Sequence, residues 1–340
     1  MWKVLSAEGA ELPRPARTST DLVHAAGLPQ TWKGWLASAS FAQQQLPQFL
    51  AALSTKPPLY LRLNYAERET EIVSELKASN FAVEVIRHAS GMVTLRLNGT
   101  RPIYELQCIK KGFVEIQDLA SQKIGEAVDA HPGMAVWDVC AGGGGKTMQI
   151  ASQMLSPALG DGGPPRDSQP IVQRQTRGVL YASDIRDYKL DELKLRARRA
   201  GFHHVRRFLY DSESAPKLTK EIENSSGFHR VLVDAPCTAS GTLRRNPDVR
   251  FRIMAGDPER FAATQLKILN AVQAQVRPRG KLIYATCSVF RTENEDVVEK
   301  FLAQNPAFSL ERAELNGSPM LDSDTMFFAV MVKNLDPAKA

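Results

Sequence analysis

The chain has 340 residues, 43% of them hydrophobic and 24% charged, with a formal net charge of +6. That is the composition of an ordinary globular protein, long enough for one large domain beside a smaller one. No apolar run approaches the length of a membrane span, and Met1 to Pro15 carries Glu8 and Glu11 instead of an apolar signal core, so neither is expected. Four cysteines make no disulfide scaffold, and the expected setting is a reducing cytoplasm with free thiols.

Residues 1–55 read as a helical and loop-like segment, with a loosely packed helical stretch from Leu28 to Leu53 ended by Lys56-Pro57-Pro58. Residues 56–125 read as a small α/β unit of the RRM-like kind, a possible RNA-binding module. Its strands are Leu59 to Leu63, Ala82 to Ile86 and Val93 to Leu97, with a helix over Glu67 to Lys77. From residue 126 to 340 strands and helices alternate. Strands are predicted over Ala135 to Cys140, Gly178 to Asp184, His204 to Tyr210, His229 to Ala235 and Lys281 to Cys287, closed by Phe308 to Arg312 and Met326 to Val332. Helices are predicted over Lys146 to Met154, Asp187 to Ala200, Pro258 to Val276 and Glu293 to Asn305. This alternation argues for a doubly wound, mostly parallel α/β sheet of the Rossmann-like type. The Pro- and Gly-rich stretch 156–177 reads as a flexible surface insertion.

Lys194, Arg196, Arg198, Arg199, Arg206 and Arg207 fit a solvated helix face. Arg244, Arg245, Arg250 and Arg252 follow Cys237 closely and are candidates for phosphate contact. The six histidines lack ligand spacing and no Cys-x-x-Cys occurs, so no metal is expected.

The segment Asp138-Val139-Cys140-Ala141-Gly142-Gly143-Gly144-Gly145-Lys146-Thr147 leaves a strand and opens a helix. Glycines there let a ligand approach the backbone, and the helix N-terminus favours an anionic group. A P-loop requires Gly where Cys140 stands, and a dinucleotide fingerprint requires Gly where Thr147 or Met148 stands. S-adenosylmethionine (SAM) is the remaining candidate. Asp184 ends the second strand, as a ribose-hydroxyl acceptor would, and Asp211 follows the third and is placed to receive an adenine amine. The bland alternative for Asp138 or Asp211 is a cap or turn residue. Three acids at successive strand ends weaken it.

Cys237, in Asp234-Ala235-Pro236-Cys237, and Cys287, in Thr286-Cys287-Ser288, each follow an apolar run. Ligand chemistry in open α/β sheets gathers at strand carboxyl ends. Two thiols there suggest a nucleophile with a thiol helper, whereas a lone free cysteine is often a small buried hydrophobe. Cys140 lies in the glycine loop and Cys108 in a strand-like run, and both thiols are read as structural.

In this order, the loop from Asp138 to Thr147, the Asp-Ala-Pro-Cys motif and the Thr-Cys-Ser motif resemble the RNA cytosine-C5 methyltransferases of the RsmB/Sun (Nop/NSUN) family. Leu61-Arg62-Leu63-Asn64, Gln117 to Gln122, Gly241 to Asp248 and Phe327 to Lys333 extend the match over roughly residues 28 to 334. The resemblance implies attack by Cys287 on cytosine C6 and release of the methylated base by Cys237. It also places Asp234 at the cytosine N3/N4 edge and Lys146 toward the substrate. The implied cofactor is SAM, held by Asp138, Cys140, Ala141, Gly142, Gly143, Gly144, Gly145, Lys146, Asp184, Asp211 and Asp234. Ribosomal RNA is the first expected substrate and tRNA the second, and the protein is expected to act as a monomer. A DNA cytosine methyltransferase would instead attack with the Pro-Cys cysteine. A non-catalytic RNA-binding or assembly factor on the same fold is the second rival. Gly142 and Gly143 stand where the family usually has Ala and Pro, a departure expected to loosen the loop and cofactor binding.

Overall fold

The apolar run Ala135-Val136-Trp137 is buried on both sides, at the middle of a seven-stranded sheet. The computed structural model describes residues 27–29, 32–37, 39, 46–98, 102–155, 178–214, 216, 220, 222 and 226–335. The insertion read at 156–177 lies outside them.

Helices α1 (Trp32–Ala37) and α2 (Leu46–Ala52) come first. They pack on Val289 and Phe290, just beyond Cys287, and the Trp32 and Phe290 rings meet edge to face at 5.4 Å. Trp32 and Leu36 are fully buried, so this segment is tightly seated where the sequence suggested loose packing.

Strands β1 (Leu59–Leu63), β2 (Ala82–Arg87), β3 (Val93–Asn98) and β4 (Val114–Ile116) form an antiparallel sheet in the order β2-β3-β1-β4. With α3 (Glu69–Ala78) and α4 (Gln107–Lys110) the chain order is β-α-β-β-α-β, the ferredoxin-like arrangement. Leu61, Leu63, Leu95 and Leu97 share a core with Ile72 and Leu76 of α3. Cys108 lies in α4, not in a strand, because its helix turns the chain between β3 and β4. Apart from the strand-like run at Cys108, the sequence pattern predicts no element between residues 98 and 134, yet α4, β4 and α5 (Leu119–Ala127) form there. Asp118 caps α5 by accepting the Ala120 amide at 2.9 Å.

The polar face of the small sheet is closed. RNA-binding sheets of this type stack bases on an open face. Here Tyr60, Arg62 and Thr94 are buried. Arg62 donates to Gln117 Oε1 at 2.7 Å, and Thr94 Oγ1 donates to Gln122 Oε1 of α5 at 2.5 Å. Arg96 pairs with Asp322.

The large sheet contains β5 (Ala135–Asp138), β6 (Val179–Asp184), β7 (Val205–Leu209), β8 (Phe228–Asp234), β9 (Val276–Thr286), β10 (Phe308–Asn316) and β11 (Met326–Lys333). Their order is β10-β11-β9-β8-β5-β6-β7. The five strands from β5 to β9 are mutually parallel, and β11 pairs antiparallel with both β9 and β10. Successive residues alternate between two cores. Val136, Leu180 and Leu232 face α6 (Gly145–Gln153) and α7 (Asp187–Arg199), while Trp137, Tyr181 and Val231 face α9 (Asp257–Val272) and α10 (Glu295–Gln304), α8 being the short turn Val249–Arg252. The strand order reverses between β5 and β8, which opens a crevice at their carboxyl ends. Among the described residues, no helix is long and apolar enough to cross a membrane.

Candidate active site

At that crevice lies a cleft of about 910 Å³. Cys140, Ala141, Gly142, Gly143, Asp184, Asp211, Asp234, Cys237 and Cys287 line it; Asp138, Gly144, Gly145 and Lys146 do not.

The first loop is pinned on both flanks. The Val139 amide donates to Leu232 O at 2.9 Å and the Ala141 amide to Ser183 O at 2.8 Å. Gly142 adopts a φ of +52°, where a side chain would be strained, and a Cβ there would meet only Arg186 Nη2, at 3.9 Å. A Cβ on Gly144 would stand 2.8 Å from Leu193 Cγ, so that glycine lets the loop pack on α7. Asp138 is buried and accepts the Thr147 hydroxyl at 2.7 Å, which ties the strand end to the first turn of α6. Burial pushes its carboxyl up to about 7, and Asp234 and Asp184 add to the rise. Its second oxygen is buried without a partner. Burial lifts the Cys140 thiol too, with the Asp138, Asp234 and Asp184 carboxylates adding to the rise, which makes it a poor nucleophile.

Asp184 faces the loop from the end of β6. It accepts the Gly142 amide at 2.9 Å, the Arg186 amide at 2.9 Å, and Arg186 Nε and Nη2 at 2.8 and 3.1 Å. Burial opposes its charge, but these bonds outweigh burial and hold the carboxyl below its ordinary value. Asp211 is exposed at the rim and accepts the Glu213 amide at 2.9 Å, a bond that lowers its carboxyl. Ile185 is 68% exposed at the cleft, and with Ile268 and Pro236 it offers apolar surface for a flat ring.

The two thiols meet. Cys237 Sγ and Cys287 Sγ are 3.3 Å apart, each half-buried, although 50 residues separate them. Lys146 Nζ donates to Asp234 Oδ2 at 2.7 Å. Burial opposes the charge on Lys146, but Asp234, with Cys287 and Asp138 nearby, lifts the ammonium above its ordinary value. Among the described residues, no group of three His, Cys, Asp or Glu side chains is arranged to hold a metal ion.

Sequence reasoning missed Arg186, Tyr210, Glu213 and Lys267, which also line the cleft. The one available signal was Ile185, an apolar residue directly after a strand-end acid.

An acid at the second strand end, a glycine loop open toward it and apolar walls between fit SAM in charge and shape. The fold and this cleft have the Rossmann-like architecture of the SAM-dependent methyltransferases. Within that class the chain is similar to the RsmB/F methyltransferases, the family its motifs resemble: a family model described as "16S rRNA methyltransferase RsmB/F" matches residues 169–334. It is 29% identical over 297 residues to ribosomal RNA small subunit methyltransferase B of Vibrio vulnificus, covering 85% of this chain and 63% of that relative. The chain thus spans less than two thirds of that relative's length. Among solved structures, the crystal structure of PH0851 superposes with a TM-score of 0.77 at 25% identity, covering 95% of this chain and 70% of that one. NSun6 from Pyrococcus horikoshii with SFG superposes with a TM-score of 0.68 at 16% identity, covering 90% and 97%, a likeness of fold alone.

Proposed function

We propose that the chain methylates C5 of a cytosine in RNA, with SAM as the methyl donor, through a covalent bond between Cys287 and the base. The observation that carries this reading is the 3.3 Å approach of the Cys237 and Cys287 thiols at the cleft, with the Lys146–Asp234 ion pair beside them. Cytosine C5 is a weak nucleophile. When the Cys287 thiolate bonds to C6, the C5–C6 π electrons move onto C5. When bound, SAM supplies an electrophilic methyl on its sulfonium, and C5 takes it. A base in the cleft or solvent then takes the C5 proton, the C5–H electron pair re-forms the C5–C6 double bond, and the C6–S bond breaks to release the thiolate. Cys237 lies close enough to take part in that release. Asp234 faces the cytosine N3/N4 edge, where a shared proton makes C6 more electrophilic. The target base must leave its stack to reach Cys287, so a single-stranded or flipped-out cytosine is required.

The name of the Vibrio relative favours small-subunit ribosomal RNA as substrate, with tRNA second. The test is adduct trapping with SAM and RNA. Cys237→Ala is expected to accumulate a protein–RNA adduct and Cys287→Ala to form none. Cytosine methylation by Cys287→Ala would falsify the mechanism, and loss of adduct only in Cys237→Ala would indicate the DNA-type nucleophile. Bisulfite mapping of rRNA and tRNA after incubation with the protein would then identify the substrate.

A further inference from the structure

Behind the two thiols lies a carboxylate with no part in the chemistry above. Glu293 closes a 3-10 turn (Arg291–Glu293) before α10 and is fully buried. Its Oε1 accepts the Thr238 amide at 2.9 Å and Gln265 Nε2 at 3.1 Å. Its Oε2 accepts the hydroxyls of Ser288 at 2.6 Å and Thr238 at 2.5 Å. Thr238 follows Cys237 and Ser288 follows Cys287, so one side chain ties the two cysteine loops together from the rear.

The hydroxyls are directed toward it. The Phe290 amide donates to Ser288 Oγ at 3.1 Å and the Val289 amide to Ser240 Oγ at 3.0 Å, and Ser240 Oγ lies 3.1 Å from Ser288 Oγ. Ser288 Oγ thus accepts an amide proton and donates its own to Glu293, and Ser240 Oγ is placed to donate to Ser288. Accepting bonds from two N–H groups and two hydroxyls favours the ionised form of this carboxyl. Burial lifts this carboxyl above its ordinary value, and the bonds from Ser288, Thr238 and Gln265 offset only part of the lift.

We propose that Glu293 is a positioning residue for the reaction: it holds the two cysteines in register and keeps the thiol proton on Cys237, leaving Cys287 to attack. This rests on the reading of Cys287 as nucleophile. The charged groups are divided accordingly. The Glu293 charge acts on the Cys237 thiol, whereas Cys287 is among the groups that lift the Lys146 ammonium, itself paired with Asp234. The Cys237 thiol is raised well above its ordinary value by its bond to Cys287, then by burial, with Cys287 and Glu293 adding to the rise.

The test reads each thiol separately, without RNA or SAM. Iodoacetamide alkylation of Cys237 and Cys287 is followed across pH by peptide mass spectrometry. In the unaltered protein Cys287 is expected to react about 10-fold faster than Cys237 at pH 8. Glu293→Gln keeps the size and removes the charge, and is expected to bring the two rates within about 3-fold and to lower kcat by about 10-fold with little change in KM. Glu293→Asp, which retains the charge, is expected to keep the order. Should Glu293→Gln fail to fold, Ser288→Ala, which removes one donor, is expected to shift the order in the same direction by a smaller factor. An unchanged order in a folded Glu293→Gln, or in Ser288→Ala where that variant carries the test, overturns the inference. An unaltered protein that orders its thiols as expected but methylates no cytosine overturns the proposed function and not the thiol ordering.

Discussion

Lys146 Nζ rests 2.7 Å from Asp234 Oδ2, a bond between side chains 88 residues apart. Lys146 comes from the first turn of α6 and Asp234 from the end of β8, so the pair bridges the two strands at which the sheet order reverses. Both groups carry charge in a site where the lysine side chain is 9% exposed and the aspartate 28%. Removing one partner strands the other. Lys146→Met is therefore expected to destabilise the fold by about 3 kcal/mol. It is also expected to slow single-turnover methyl transfer by about 100-fold. Urea melts and rapid-quench assays measure the two effects separately. A full transfer rate in a destabilised protein would confine the lysine to a structural role.

Arg186 occupies Asp184. Three of the four donors to that carboxylate come from Arg186, two of them from its side chain. On the reading of Asp184 as ribose acceptor, SAM hydroxyls take over some of those positions, and the Arg186 side chain, 50% exposed, is the partner able to swing away. Arg186→Ala removes that competition while the Gly142 and residue-186 amides still hold the acid. SAM is expected to bind about 3-fold tighter to this variant, a gain of about 0.7 kcal/mol. Isothermal titration with SAM decides it, and weaker binding would make Arg186 a ligand contact instead of a competitor.

What the sequence disclosed was the set of groups fixed by local pattern. Apolar runs ending in Asp138, Asp184 and Asp234 are strands because both faces are buried, and a glycine loop between strand and helix is legible from its composition. What it hid were partners. Alternation in Tyr60-Leu61-Arg62-Leu63 reveals a polar face but not that Gln117 and Asp322 close over it. Glu293 reads as an ordinary helix-start acid, since nothing local shows that Thr238 and Gln265 converge on it from other elements. The basic cluster on α7 was legible only in part: Arg196 and Arg199 turn inward to Glu115, whereas the sequence pattern suggests a solvated face.

Arg62 makes that closure testable. It is fully buried, with Gln117, the Leu63 carbonyl and Ser152 as acceptors. Arg62→Met leaves those acceptors without a donor and is expected to cost about 3 kcal/mol in stability. If the polar face of the small sheet takes no part in binding, the affinity of the folded variant for single-stranded RNA is expected to stay within about 2-fold, and its salt dependence to be unchanged. Filter binding at several salt concentrations, well below the melting temperature, measures both. A reduced salt slope would place Arg62 on the RNA.

Asp138 gives the stability a pH dependence of defined sign. Its carboxyl titrates at about 7 in the fold against 3.8 when unfolded, because burial disfavours its charge. Between those values the folded state holds a proton that the unfolded state has released, so stability falls as pH rises from 4 to 7 and levels off above. The full displacement corresponds to roughly 4 kcal/mol. Asp324, also raised to about 7 by burial and by Asp118, acts in the same window, so the Asp138 share must be isolated by substitution. Asp138→Asn stays neutral at every pH, and its carbonyl can still accept the Thr147 hydroxyl. The stability advantage of this variant over the unaltered protein is expected to be about 3 kcal/mol larger at pH 8 than at pH 5. Denaturant unfolding at the two pH values measures the difference, and an equal gap at both would mean that the Asp138 carboxyl is already ionised at pH 5.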